Sequence, residues 1–226
     1  MSPPRPESLT GRAPGARPDL LAGQEFPPPP QQARSRKKRD ALLQAALALF
    51  AERGYEESAV EEIAHRAGVA VGGFYQHFAS KRQILLALMD RLLEEVSSLA
   101  LHIGPADLLD AQALIAQMVR QGLQVDWAYA GAYRAWHELA VQDRELRALH
   151  QQIEQWTAHL LEQLFGALLQ LPGARRDVDV GTLAWVISLL FLRLAETPLT
   201  DVNAVDTAVA SLTQLIYHAL FTDQTS

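Results

Sequence analysis

From residue 36 to residue 221 the apolar residues recur every three or four positions, and nowhere do they alternate as a half-buried strand requires. That rhythm admits helices. Leu42, Ala46, Leu49 and Phe50 open it, and Leu85, Leu88, Leu92, Val96 and Leu99 stripe a long successor. Leu108, Ala111, Ile115 and Met118 share a face, and Leu146, Leu149, Ile153, Trp156, Leu160 and Leu164 step through another long helix. Gly54, Gly68, Gly104-Pro105, Pro172-Gly173 and Pro198 punctuate the pattern. Ser58 with Glu61, and Ser80 with Gln83, have the spacing of capping boxes, and Gly54 suits a left-handed C′ position. The reading is an all-α chain of about nine helices.

Apolar residues make up 49% of the 226, enough for one large or two modest domains. The absence of cysteine excludes disulfides and thiolate metal sites. The longest apolar run, Leu183 to Leu192, is interrupted by Ser188 and falls short of the ~20 residues that span a bilayer. No N-terminal leader pattern is present, so a cytoplasmic protein without membrane contact is expected. Residues 1–33 hold nine of the twelve prolines and show no periodicity, which reads as a disordered or polyproline II tail. The net charge of −6 is unevenly spread: residues 31–82 carry nine Lys+Arg against six Asp+Glu, and residues 83–226 carry eight against seventeen. A basic unit joined to an acidic one points to polyanion contact through the first alone.

Within that basic unit, residues 60–85 read VEEIAHRAGVAVGGFYQHFASKRQIL. Two short helical patterns meet at Gly68, with Ile63, Ala67, Val69 and Phe74 as their shared core and Ala64 small at the crossing. The third helix is expected over about 70–78. It leaves Ala70, Val71, Gly72, Gly73, Tyr75, Gln76 and His77 outside, and the glycines are explained by close approach to a groove wall. Upstream lie Arg34, Arg36, Lys37, Lys38 and Arg39; downstream, Lys81 opposes the local helix dipole and is expected to face a phosphate. A helix-turn-helix with cations beside it fits the DNA major groove.

Residues 39–85 resemble the DNA-binding domain of the TetR family of bacterial transcriptional regulators. The matching residues are Ala45-Ala46, Leu49-Phe50, Gly54-Tyr55, Ile63-Ala64, Ala67-Gly68-Val69, Phe74-Tyr75, His77-Phe78 and Lys81. The resemblance implies that the third helix enters the groove while Tyr75, His77 and Lys81 grip phosphates. Ala59 departs from the family pattern, in which Thr or Ser there caps the second helix; Ser58 is the substitute cap. Val71 and Gln76 are the best remaining side chains for reading bases.

The resemblance also implies a C-terminal ligand-binding and dimerisation domain. Residues 182–194 are apolar nearly all round, and Val205, Val209, Leu212, Ile216 and Leu220 form one stripe, which reads as pairing of the last two helices with those of a second copy. The interface residues expected are Ala184, Ile187, Phe191, Leu194, Val209, Leu212 and Ile216. Aromatic residues with interleaved polar groups in the middle helices read as a small-molecule pocket. The lining expected is Val96, Met118, Tyr133, Trp136, His137, Trp156 and Leu160.

The resulting domain plan is a tail over 1–33, a helix-turn-helix domain over 34–82 and a helical effector-binding and dimerisation domain over 83–226. The expected DNA contacts are Arg34, Lys37, Lys38, Arg39, Val71, Gly72, Gly73, Tyr75, Gln76, His77 and Lys81. Their partners are a double-stranded palindromic operator, an apolar or amphipathic effector and a second copy of the chain. The function read is a repressor released by that effector. The alternatives are a constitutive DNA-binding dimer and a helical small-molecule-binding protein. No cofactor or metal is expected, and no enzyme: His137-Glu138 lacks the second histidine of a zinc-protease helix, and no nucleophile has a local base.

Overall fold

The structure, a computed structural model, describes residues 16–28, 32–100, 110–195 and 202–222. Nine α-helices and no strand occur among them. The stops expected at Gly104-Pro105 and Pro198, together with Leu108, lie outside the described residues.

Helix α1 spans Ala33–Arg53 and buries Leu42, Leu43, Ala45, Ala46, Leu49 and Phe50. The upstream cations are therefore its first two turns. Gly54 ends it at φ +83°, with an extended ψ of 177° instead of a left-handed helical turn. Helix α2 is Val60–Arg66, and Gly68, at φ +66°, turns the chain into α3, Val71–Tyr75. Only Phe74 of α3 is buried, because a five-residue helix can bury one side chain against α1 and α2. Ser58 does not cap α2. Its Oγ donates 2.7 Å to the Gly54 carbonyl, and exposed Ala59 holds the cap position without a side-chain bond.

Helix α4, Lys81–Ala100, starts on the second expected box: Ser80 Oγ accepts from the Gln83 N–H at 3.2 Å, and Gln83 Oε1 accepts from the Ala79 N–H at 2.8 Å. The body comprises α5 (Ala111–Ala128), α6 (Ala130–Ala140), α7 (Arg144–Leu168), α8 (Val180–Ala195) and α9 (Val202–Leu220). Asp110 and Asp143 cap α5 and α7, each accepting from backbone N–H groups in the first turn. Gly173, at φ +80°, turns the α7–α8 loop, which is tied to the end of α9 by the Arg175 N–H donating to the Leu220 carbonyl at 2.9 Å.

Two apolar clusters hold the molecule. The first joins α1–α4 to Tyr129, Tyr133 and Trp136 around α6 and to Ile153 and Trp156 of α7, so it crosses the boundary expected at residue 82. The second joins α5, α8, α9 and the end of α7. The DNA module and the body approach each other closely at a glycine. A Cβ at Gly131 of α6 would sit 2.4 Å from the Leu47 carbonyl oxygen of α1. Beside it, Arg134 donates to the Ala51 carbonyl at 3.0 Å, and Glu138 accepts the Tyr55 N–H at 3.0 Å.

Residues 16–28 correct the tail reading for that stretch, since they pack as a strap over α4. Leu20 is buried, Arg17 bonds the Asp90 carboxylate at 2.8 Å, and Gln83 Nε2 donates 2.9 Å to the Glu25 carbonyl. Composition does not reveal this, because Leu20, the partly buried Leu21 and Phe26, and a few hydrogen bonds anchor an otherwise proline-rich segment.

Candidate nucleic-acid interface and internal cavity

On the outer face of the helix-turn-helix, Tyr75 is 50% exposed and Val71 38%. Gln76 and Gly72 are also exposed, and a Cβ at Gly72 would meet open space. Gly73 behaves differently. A Cβ there would lie 2.6 Å from Val69 Cγ1, so its lack of a side chain serves the turn against α2 and not a groove wall. Arg34, Arg36, Lys37 and Lys38 are exposed on α1, whose first turn contains no acid. Arg39 is half-buried with its guanidinium 4.9 Å over the Phe78 ring.

Two of the expected phosphate ligands do not stand free on the surface: His77 is buried, and Lys81 is bonded within the protein. His77 is 6% exposed, not open to solvent. Desolvation, with Arg39 and Lys38 nearby, pulls its pKa down, which favours a neutral ring. Lys81 donates to the Tyr55 carbonyl at 2.5 Å and the Glu56 carbonyl at 3.2 Å, and its ammonium lies 4.2 Å over the Tyr55 ring. It holds the α1–α2 turn, and burial lowers its pKa. Its position against the dipole of α4 is thus compensated by carbonyls of another segment, a partner 25 residues away that local reasoning does not reveal.

An internal cavity of about 120 Å³ opens between α4, α5, α7 and α8. Of the expected lining, Val96, Met118, Tyr133, Trp156 and Leu160 face it. Trp136 and His137 do not. Trp136 is wholly buried in the first cluster, and His137 packs edge-on against His150 with centroids 4.9 Å apart. Tyr133 and Trp136 are three apart on a helix and lie on neighbouring lines, so a slight rotation of α6 decides which one reaches the cavity.

The sequence pattern alone does not single out Asp126. It lies in the last turn of α5, buried, and lines the cavity. Tyr133 Oη donates to its Oδ1 at 3.1 Å. Burial pushes its pKa up to about 7, and the Tyr133 bond only partly opposes this. An aspartate on the apolar stripe of a helix is the one signal that could have found it.

The expected interface residues point inward. Ala184, Ile187, Val209, Leu212 and Ile216 are buried in the second cluster of one chain, and Phe191 and Leu194 pack against it. The apolar side chains that α8 and α9 leave outside are Trp185 (56% exposed), Val186, Leu189, Leu190 and Leu215. A helix apolar all round needs its heptad phase fixed by packing before its two faces can be told apart.

No helix among the described residues is long and apolar enough to cross a membrane, and no group there could hold a metal ion.

These features define an all-α, helix-turn-helix protein with a cavity-bearing helical body. Residues 42–88 match the model of bacterial regulatory proteins of the tetR family. The chain is 30% identical over 158 residues to the HTH-type transcriptional regulator TcmR of Streptomyces glaucescens, covering 70% of this chain and 62% of that one. It matches less than two thirds of the length of TcmR and of other curated relatives. The fold is shared with AibR, solved with isovaleryl coenzyme A and operator DNA (TM-score 0.58, 23% identity, 79% of this chain and 97% of that one). It is also shared with a chain solved in work on the molecular basis for control of antibiotic production by bacterial hormones (TM-score 0.66, 23% identity, 82% and 98%). The likeness to the tetR family is thus carried by residues 42–88, and that of the remaining helices is one of fold.

Proposed function

We propose that this protein is a cytoplasmic, homodimeric transcriptional regulator that binds a palindromic operator and is released from it by a small molecule. The observation that carries the reading is the outer face of α3: Val71, Gly72, Tyr75 and Gln76 stand clear of the core, beside four exposed cations of α1. That surface combines base-edge contact with phosphate contact. Val71, Tyr75 and Gln76 are its groove residues, and Arg34, Arg36, Lys37 and Lys38 its phosphate residues. His77 and Lys81 support it from within.

One such unit offers too small a contact for tight binding, and a two-fold pair places two of them about 34–36 Å apart. The stripe Trp185, Val186, Leu189, Leu190 and Leu215 is the surface for pairing, an exposed apolar patch of the kind that marks an interface. The cavity communicates with the groove face by two routes. One is α4, which lines the cavity through Leu93, Val96 and Leu99 and begins at the DNA module. The other is α6, where Tyr133 at the cavity adjoins Arg134, which holds the end of α1. Coupling of about 1–3 kcal/mol through these contacts changes operator affinity five- to 150-fold.

Selection of bound fragments from random DNA tests the reading, with sedimentation of the complex alongside. A palindrome bound by two chains is expected. A protein that remains a single chain and prefers no sequence at low salt sinks it.

A further inference from the structure

We propose that the cavity binds a lipophilic molecule bearing one protonated nitrogen, and that Asp126 is the residue that holds it. This deepens the reading of the cavity as the effector site and rests on it.

The wall chemistry is one-sided. Among the described residues no lysine, arginine or histidine faces the cavity, and Asp126 is its one carboxylate. Against these described walls a carboxylate, phosphate or other anionic head group meets no counter-charge and meets a second acid. The cost of desolvating an unpaired charge excludes it. Thr157, Gln121 and Tyr133 supply the remaining polarity, and the rest is aliphatic or aromatic.

Asp126 is built as a half-finished site. Its Oδ1 accepts from Tyr133, and no donor reaches Oδ2 among the described residues. The carboxylate lies in the last turn of α5, where backbone carbonyls concentrate negative potential. Burial and dipole both penalise a lone anion there, and both effects change sign for an ion pair with an ammonium. Tyr133, Trp156, Phe165 and Phe191 add aromatic rings around the same space, and ring faces attract cations. The apolar remainder of the wall suits an alkyl or arylalkyl body.

The site also has a place in the switch. Asp126 is tied to Tyr133 of α6, and the next residue, Arg134, bonds the Ala51 carbonyl of α1. An ammonium that pairs with Asp126 competes with Tyr133 for the carboxylate and so acts directly on the helix that packs against the DNA module.

The test titrates the full chain with n-octylamine, 1-octanol and octanoate, three probes of equal chain length whose head groups are cationic, neutral and anionic. Isothermal calorimetry reads affinity, and gel shift on the selected operator reads release. Octylamine is expected to bind at least about tenfold more tightly than octanol, with octanoate not bound. Asp126→Asn should lose at least about tenfold for octylamine and leave octanol within about twofold. Met118→Trp, which fills the cavity, should remove both. The head-group order in the unaltered protein stands as a test even if a variant fails to fold. Octanoate or octanol binding as well as octylamine, no binding of octylamine, or full retention by Asp126→Asn overturns the proposal. Octylamine that binds through Asp126 without weakening operator binding sinks the switch reading and leaves the ligand class intact. Octanoate that releases the operator does the reverse.

Discussion

The helix-turn-helix and the cavity-bearing body place polarity in opposite ways. In the first, α3 buries Phe74 and no other side chain, so the residues proposed to contact DNA are those the core does not need. In the second, the residues proposed to hold a ligand are those the core encloses: Asp126 and Tyr133 lie inside, bonded to each other. A surface site is built by omission from packing, and an interior site by a polar group that packing tolerates at a cost. The two also meet. Gly131, Arg134 and Glu138 fasten α6 to the end of α1 and the turn after it.

The sharpest way to break this contrast is Asp126→Asn. Because the folded state raises the carboxyl pKa from 3.8 to about 7, it binds the proton more tightly than the unfolded chain does. The stability contributed by Asp126 is therefore greatest below about pH 4, falls as pH rises toward 7 and is flat above. At about 1.4 kcal/mol per unit, asparagine should stabilise the fold by roughly 3–4 kcal/mol at pH 8 relative to its effect at pH 4. Urea unfolding of both proteins across that range reads the difference, and parallel pH profiles would refute the buried-acid assignment.

Gly131→Ala comes next. Its methyl group would meet backbone of α1 that has no rotamer to yield, and a loss of about 2–3 kcal/mol is expected by chemical denaturation. A neutral result would mean that α6 and α1 separate without penalty.

The paired glycines of α3 give a smaller and more discriminating effect. Gly73→Ala should cost about 1–2 kcal/mol through Val69, whereas Gly72→Ala should stabilise the free protein by up to about 1 kcal/mol, since its Cβ meets nothing and alanine favours helix. Loss of operator affinity in the more stable Gly72→Ala variant would locate the groove wall. The smallest effect is that of Lys37→Ala with Lys38→Ala. Stability should stay within about 0.5 kcal/mol, and the salt slope of operator binding should fall by about 0.9 for each phosphate that is no longer neutralised. An unchanged slope removes those lysines from the interface.

Which parts of the molecule are legible in the chain follows from the range of the interactions involved. The Gly68 turn, the Ser80–Gln83 cap and the helical rhythm are short-range, and the chain displays them directly. Ser58 shows the limit: its neighbours match a capping box, yet its hydroxyl turns back to Gly54 in the preceding loop. His77 and Lys81 read as outward-facing from their polarity, and neither the burial of His77 nor the turn carbonyls that hold Lys81 can be foreseen from composition. Asp126 escapes notice because an acid in an amphipathic helix normally marks the wet face.

Helix content, the site of the turn and the segregation of charge were determined by the chain alone, because each depends on residues within a few positions of one another. Tertiary structure alone decided which face of α8 is core and which is left with Trp185, that Gly73 serves Val69 while Gly72 is free, and that Asp126 meets Tyr133 at the cavity wall. Those outcomes depend on how helices distant in sequence rotate against each other, and a rotation of a few tens of degrees exchanges inside for outside without altering any local pattern.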